Sequence, residues 1–245
     1  MTQSDKMMPE KILIIVPALN ESGNIQKIVE EILALPIPLV VVVVDDGSGD
    51  ATACEAKKTS ARVISLPFNL GIGGAVQTGF KYALDKEFTL AVQVDGDGQH
   101  DVGYLQKLIE PVLKGQADMT IGSRFLSPYL GYRSSLVRRV GIHFFSHLIS
   151  LLTGSKVTDP TSGFRAFNRR MIEAFARSYP HDFPEPEAIM IARRLNAVIV
   201  EVPVKMRKRA YGSSSIRYLK TLYYMVKVTF AILLNMVKKK NRCSS

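Results

Sequence analysis

Thr89-Leu90-Ala91-Val92-Gln93-Val94 is a short apolar run, and Asp95-Gly96-Asp97-Gly98-Gln99-His100 follows it directly. The run reads as a buried strand and the hexapeptide as the loop at its carboxyl end. Val102–Leu113 reads as the helix that leads away. Two carboxylates two positions apart, with the Gln99 amide beside them, offer hard oxygen ligands. Mg2+ or Mn2+ commonly takes one or two such carboxylates plus substrate phosphates. Gly96 and Gly98 let backbone and ligand approach closely.

The same grammar repeats on either side. Lys11–Val16, Leu39–Val44, Val63–Leu66, Met119–Gly122 and Ala197–Val204 are β-branched or apolar runs of strand length. Asn24–Leu35, Ala51–Lys58, Gly71–Leu84, Val137–Leu152, Arg169–Ala176 and Ile189–Leu195 read as helices. Thr158–Arg165 and Arg207–Ser215 read as loops. Strands alternating with helices predict an α/β fold with a mostly parallel sheet covered on both faces. Ligands of such sheets bind beyond the carboxyl ends of the strands. The acidic and glycine-rich loops fall there.

Two further loops carry chemistry. Asp45-Asp46-Gly47-Ser48 ends the second strand, where one carboxylate can accept from a base or ribose, or simply close a turn and cap a helix. Asn69-Leu70-Gly71-Ile72-Gly73-Gly74 opens a helix as a phosphate cradle or as a plain glycine turn. It is neither a dinucleotide fingerprint nor a Walker loop. Arginines suited to phosphate stand at Arg124, Arg138, Arg139, Arg165 and Arg209. No His/Cys set has zinc-ligand spacing, and no G-x-S-x-G elbow occurs. His100, beside the carboxylates, reads as structural.

Composition narrows the class. The chain has 245 residues, 47% hydrophobic and 22% charged, enough for a real core and too apolar for wholesale disorder. Two cysteines, Cys54 and Cys243, exclude a disulfide scaffold and fit a reducing compartment. Met1–Lys11 has no apolar stretch of the kind a secretory signal needs. The net charge of +10 is lopsided: eleven Lys/Arg and no Asp/Glu lie from Pro203 onward, and residues 1–202 hold 21 basic and 22 acidic groups. A basic tail on a neutral body points to an anionic partner, membrane or nucleic acid.

The tail favours a membrane surface. Leu222–Val237 is short for a spanning helix, which wants about 20 mainly apolar residues. It also contains Lys227, which costs roughly 2.5–3.5 kcal/mol near a helix centre. Tyr218, Tyr223, Tyr224 and the flanking lysines suit an amphipathic, membrane-interfacial helix within residues 216–245, appended to a domain of residues 1–215. Lys238, Lys239, Lys240 and Arg242 would meet anionic lipid. The alternative is a helix packed on the domain or against another subunit.

Six motifs in order resemble the family 2 glycosyltransferases of GT-A (Rossmann-like) fold over about residues 12–215. They are Val16-Pro17-Ala18-Leu19-Asn20-Glu21; Asp45-Asp46-Gly47-Ser48 with Asn69-Leu70-Gly71; Asp95-Gly96-Asp97-Gly98-Gln99-His100; Gly122-Ser123-Arg124; Thr161-Ser162-Gly163-Phe164-Arg165; and Glu201-Val202-Pro203-Val204 with Arg209-x-x-Gly212-x-Ser214. The chain looks most like the dolichyl- and polyprenyl-phosphate sugar transferases.

That resemblance implies an inverting, metal-dependent transfer of a hexose from a UDP- or GDP-sugar to a polyprenyl phosphate, peripheral on the cytoplasmic face of a membrane. It implies that Pro17, Ala18, Asn20, Glu21, Asp46 and Ser48, with Asn69, Gly71 and Gly96, line the donor nucleotide. Asp95, Asp97 and Gln99 would hold Mg2+ or Mn2+ and the diphosphate. Arg209 would close over the diphosphate, and Arg124 and Arg138 would receive the acceptor phosphate. Two positions depart from the pattern, and they bear on the acceptor assignment more than on the donor. Ser215 stands where a lysine is usual, and Ile142 stands where a serine is usual.

A phosphate acceptor is already ionised and needs no general base, whereas a hydroxyl acceptor needs one. The chain has no tryptophan and reads Phe183-Pro-Glu185-Pro-Glu187 rather than Glu-Asp, which favours phosphate. Glu185, Glu187 and Asp159 are the candidate bases for a saccharide or protein hydroxyl acceptor in cell-surface polysaccharide synthesis. A third reading is a non-catalytic scaffold recruited through the basic tail. Nucleic-acid binding finds no aromatic-basic recognition module, so no nucleic-acid partner is expected. An integral membrane partner and a homo-oligomer are the remaining partner expectations.

Overall fold

The computed structural model describes residues 11–126, 136–154, 156–181 and 184–207, with residues 136–140 and 153 described by backbone alone. Strands β1 (Ile12–Ala18), β2 (Leu39–Asp45), β3 (Arg62–Ser65), β4 (Leu90–Gln93), β5 (Met119–Ser123), β6 (Arg165–Asn168) and β7 (Ile199–Pro203) form one sheet in the order β3-β2-β1-β4-β6-β5-β7. Helices α1 (Ile25–Leu33), α2 (Thr52–Ala56), α3 (Gly71–Asp85), α4 (Leu105–Leu113), α5 (Leu136–Thr153), α6 (Arg169–Arg177) and α7 (Pro184–Arg194), with a 3-10 turn at Val102–Tyr104 leading into α4, complete the described elements.

Strand alternation sorts the core into two layers. Leu13 and Ile15 of β1, with Val42 and Val44 of β2, face a layer made with α3, α5, α6 and α7. Ile12, Ile14 and Val16, with Val41 and Val43, face α1, α2 and α4. The near-continuous apolar runs in the sequence follow from this, because both strand faces are dry. Helix α1 buries Ile25, Ile28, Val29 and Ile32, the stripe expected from their spacing.

Strands β1, β2, β3 and β4 are mutually parallel, and Ile12 pairs with both Leu39 and Leu90. The sheet is mostly parallel, as expected, with β5 parallel to β7 and one antiparallel strand between β4 and β5. The stretch expected to run on as a loop to Arg165 ends earlier: Arg165–Asn168 is a strand, antiparallel to β4 and to β5. Its four residues, Arg-Ala-Phe-Asn, sit between two polar ends and carry no strand signal long enough to read. Cross-strand pairing on both sides supplies the order that propensity does not. Helix α7 likewise begins at Pro184, five residues before the expected Ile189, as proline favours the first turn of a helix.

Among the described residues no helix is long and apolar enough to cross a membrane. The expected interfacial helix at 216–237 and the boundary at residue 215 lie outside the described residues.

Helix α3 sits unusually close to the sheet. A Cβ built at Gly79 would lie 2.3 Å from Ile15 Cγ2 in the centre of β1. Replacing a helical glycine by alanine ordinarily gains up to about 1 kcal/mol. Overpacking a core costs about 1–3 kcal/mol or more. Gly79→Ala should therefore lower the unfolding free energy by roughly 1–2 kcal/mol net in urea denaturation, the reverse of the propensity effect.

Candidate active site

The carboxyl ends of β1, β2 and β4 bring three sequence-distant loops to one edge. The Asp46 N–H donates to the Ala18 carbonyl at 2.9 Å, and the Gly96 N–H donates to the Pro17 carbonyl at 3.3 Å. Pro17-Ala18 is thus flanked by Asp46 on one side and Gly96 on the other. The close approach is specific to Gly96, where an added Cβ would stand 3.1 Å from the Pro17 carbonyl oxygen and 3.4 Å from Ala18 Cβ.

Asn20 has φ of +54°, a conformation asparagine tolerates better than most residues. Two bonds hold it there. Its N–H donates to Ser48 Oγ at 2.9 Å, and its Oδ1 accepts from the Gly49 N–H at 2.9 Å. Asp46 is buried, and its Oδ1 accepts from the Leu70 N–H at 2.7 Å. Burial pushes the Asp46 carboxyl up, and the N–H groups of Leu70 and Gly71 pull it back down. Asn69 Oδ1 accepts from the Gly71 N–H at 2.8 Å. Gly47, at φ +72°, packs so close to Phe68 and Asn69 that a Cβ would meet their backbone at 3.0 Å. The expected donor residues Pro17, Ala18, Asn20, Asp46, Ser48, Asn69, Gly71 and Gly96 therefore form one continuous rim. Glu21 turns inward: it is buried and accepts from Asn24 Nδ2 at 2.9 Å at the start of α1.

Asp95 follows β4 and is held from three directions. Its N–H donates to His100 Nδ1 at 3.1 Å, which leaves the imidazole proton on Nε2, 3.5 Å from Asp95 Oδ2. Gln93 Nε2 lies 3.4 Å from Asp95 Oδ1. Beneath the carboxylate is Gly163, where a Cβ would come within 2.9 Å of both carboxylate oxygens. His100 is buried, stacks on Phe164 with ring centroids 5.0 Å apart, and acts by orienting Asp95. Asp97 Oδ1 accepts from the Gln99 N–H at 3.0 Å. Gly98 takes φ of +71° in that turn.

This donor set fits a hard divalent cation. Among the described residues no group of three or more His, Cys, Asp or Glu gathers as an all-protein metal cage. Two partly exposed carboxylates at the carboxyl end of a strand instead match Mg2+ or Mn2+, whose remaining ligands come from substrate and water.

The far side of the site differs from expectation. Arg165, a candidate phosphate partner in the sequence, is wholly buried and donates to the carbonyls of Pro160, Ser162 and Glu185 at 2.7–2.9 Å. It is corrected to an internal tie. Arg124 is also buried. Its Nε and one terminal nitrogen each lie 2.6 Å from Asp159, and it reaches Thr161 Oγ1 at 2.8 Å. Two of its three nitrogens are thus committed to the Asp159 loop, a buried pairing that is costly to break. The same pairing engages Asp159, one of the three candidate bases.

Glu201 accepts from the N–H groups of Thr158 and Asp159 at 2.8–2.9 Å and pins the loop that carries Asp159. Burial pushes the Glu201 carboxyl up, and those N–H groups oppose it. Glu185 feels the field of Asp95 and Arg165 together. Burial raises its carboxyl, Arg165 lowers it, and Asp95 raises it again. Ile142, at the position where serine was the expected residue, is buried in α5. The side chains of Arg138 and Arg139, and all of Arg209, lie outside the described residues.

His100, Gln93, Gly163 and Arg207 are residues whose part in the site the sequence did not assign. Gly163 stood in the Thr-Ser-Gly-Phe-Arg motif, but its closeness to Asp95 exists only once β6 pairs with β4.

The Glycosyl transferase family 2 model matches residues 13–175. The UDP-N-acetylglucosamine--dolichyl-phosphate N-acetylglucosaminyltransferase of Methanococcus voltae is 31% identical over 81% of this chain and 86% of its own. The polyprenol monophosphomannose synthase of Mycolicibacterium smegmatis is 29% identical over 84% of this chain and 80% of its own. Among solved structures, glucosyl-3-phosphoglycerate synthase from Mycobacterium tuberculosis, in complex with Mn2+, UDP and phosphoglyceric acid, superposes with a TM-score of 0.68. It shares 24% identity and covers 92% of this chain and 78% of its own, a likeness of fold. The expected GT-A arrangement is the one observed.

Gly163→Ala tests the cradle directly. The methyl group displaces the Asp95 carboxylate rather than backbone. The folded state should survive while Mn2+ affinity, read by electron paramagnetic resonance, falls about 10-fold or more.

Proposed function

The chain belongs to glycosyl transferase family 2, and we propose that it transfers a hexose, with inversion, from a UDP- or GDP-linked donor to a polyprenyl phosphate at a membrane surface. The observation that carries this reading is the meeting of the Pro17–Asn20, Asp46–Ser48 and Asp95–Asp97 segments along one edge. They form a hydrogen-bonded rim beside two carboxylates suited to a divalent ion. The lipid-phosphate acceptor is supported by the two relatives, whose names specify dolichyl phosphate and the synthesis of polyprenol monophosphomannose.

In this reading Asp46 receives the base, with its carboxylate aimed by the Leu70 N–H. Asp95 and Asp97 would hold the ion, and Gln99 would flank the diphosphate. When bound, the ion offsets the charge that grows on the departing nucleoside diphosphate. His100 and Gln93 keep Asp95 in one orientation, so that no reorganisation is needed as that charge develops. Arg209 closes over the diphosphate and Arg138 receives the acceptor phosphate. Arg124 contributes by bracing the Asp159 loop. The acceptor phosphate attacks already ionised, so no side chain has to remove a proton. The basic segment after Pro203 rests on anionic lipid at the cytoplasmic face, with an integral membrane partner or a second copy of the chain assisting recruitment.

A hydroxyl acceptor is the second reading, favoured by one observation. Half-buried Glu185 stands at the start of α7, its carbonyl held by Arg165, and its carboxyl is pushed up by burial, down by Arg165 and up again by Asp95, the setting of a general base.

Transfer of labelled sugar from a panel of UDP- and GDP-sugars to undecaprenyl phosphate, with Mg2+ or Mn2+, distinguishes the two. Glycolipid product that falls by about 10²-fold or more in Asp97→Ala supports the lipid-phosphate reading. Asp97-dependent donor hydrolysis without lipid product rejects it in favour of a hydroxyl acceptor. Turnover of no donor at all returns the chain to a scaffold role.

A further inference from the structure

The loop Asp97–Asp101 contains a glycine at φ +71°, follows another glycine at Gly96, and stands at the open edge of the sheet. Such a segment gives up much conformational freedom when it is held in one geometry. His100, buried against Phe164, anchors the loop from within, and Arg207 restrains it from outside. The Arg207 N–H donates to the Gln99 carbonyl at 2.8 Å, and the adjacent Met206 forms a β-bridge with His100. The Arg207 guanidinium then forks. One terminal nitrogen meets Asp101 Oδ1 at 2.9 Å and the other meets Glu31 Oε2 on α1. Backbone and side chain of a single residue thereby fasten the loop to α1, a rigid helix.

We propose that Arg207 is a positioning residue for the metal and diphosphate loop. It holds the turn that carries Asp97 and Gln99 in place, and it pairs with Asp101 and Glu31, so that these two carboxylates are tied to the fold rather than turned toward the donor site. This deepens the donor-site reading above and rests on it. The clamp is only part-buried, with side-chain exposures of 39% for Arg207, 28% for Glu31 and 23% for Asp101. Ion pairs this accessible add little to global stability. Their effect is to preorganise a loop, and that effect appears in ligand affinity. A lysine keeps the charge but cannot reach two carboxylates as a planar fork does.

The test uses the full chain and measures Mn2+-dependent binding of UDP and of GDP by calorimetry, alongside the thermal midpoint of unfolding. Wild type should bind one of the two nucleotides with Mn2+, and Asp97→Ala should not. Arg207→Ala should weaken that binding about 10-fold, within the range seen when partners of metal ligands are removed. Arg207→Lys and Glu31→Gln should each fall between wild type and Arg207→Ala. All three should keep the unfolding midpoint within about two degrees of wild type, as expected for an exposed pair. The proposal is overturned if Arg207→Ala binds as wild type does. It is equally overturned if affinity and midpoint fall together and Arg207→Lys rescues neither. Failure of wild type to bind either nucleotide would remove the donor-site reading itself, a result separate from any difference among the variants.

Discussion

A guanidinium with no water around it has to find oxygen atoms inside the protein, and Arg165 finds three main-chain carbonyls. Two belong to the 158–165 loop and the third to α7, so one buried cation ties that loop, the start of β6 and the start of α7 into a single unit. Removing such a charge from water is expensive, and the charge persists only because its donors are met. The position of Gly163 under Asp95 follows from that knot, as does the presence of Glu185 near the same carboxylate. The antiparallel strand β6 is the joint between the two halves. It pairs Arg165 with Gln93 of β4 and with Ile121 of β5, and thereby carries the tie into both.

The two halves meet the site with different physics. The donor half is built from backbone: strand ends, N–H groups and glycines hold a rim in which short side chains such as Asn20 and Ser48 fasten one loop to the next. The other half is built from charge held by the protein, with buried Arg124 on Asp159, buried Arg165 on three carbonyls and half-buried Glu201 on two N–H groups. A buried ionic network has one arrangement that satisfies every member, and any departure leaves a charge unpaired. It is therefore a stiff wall against which the partly exposed loop at Asp97–Asp101 can be organised.

The donor side was legible because its signal is local. An apolar run followed by acid and glycine fixes both a strand and the place where it ends, and the sheet rule puts that end at the ligand edge. The acceptor side was not, because an arginine in a sequence looks the same whether it faces water or a carbonyl. Arg124 and Arg165 both look like phosphate partners in the sequence, and the structure buries both, Arg165 on three carbonyls and Arg124 on Asp159. Strand β6 escaped for a related reason. Four residues are too few for a periodic pattern, and its order comes from neighbours more than 40 residues away in the chain.

The sequence by itself determined the alternation of strands and helices, the parallel half of the sheet, the family and the carboxylate pair at Asp95 and Asp97. Each of these is written in residues close together along the chain. Only the tertiary structure decided which charges are spent on the fold and which are left for a ligand. It closed Arg165 and Arg124 inward, aimed His100 at Asp95, and set Gly163 beneath the carboxylate. Partners for a charge are chosen by distance in space, and the pairing of strands far apart in sequence is what sets those distances.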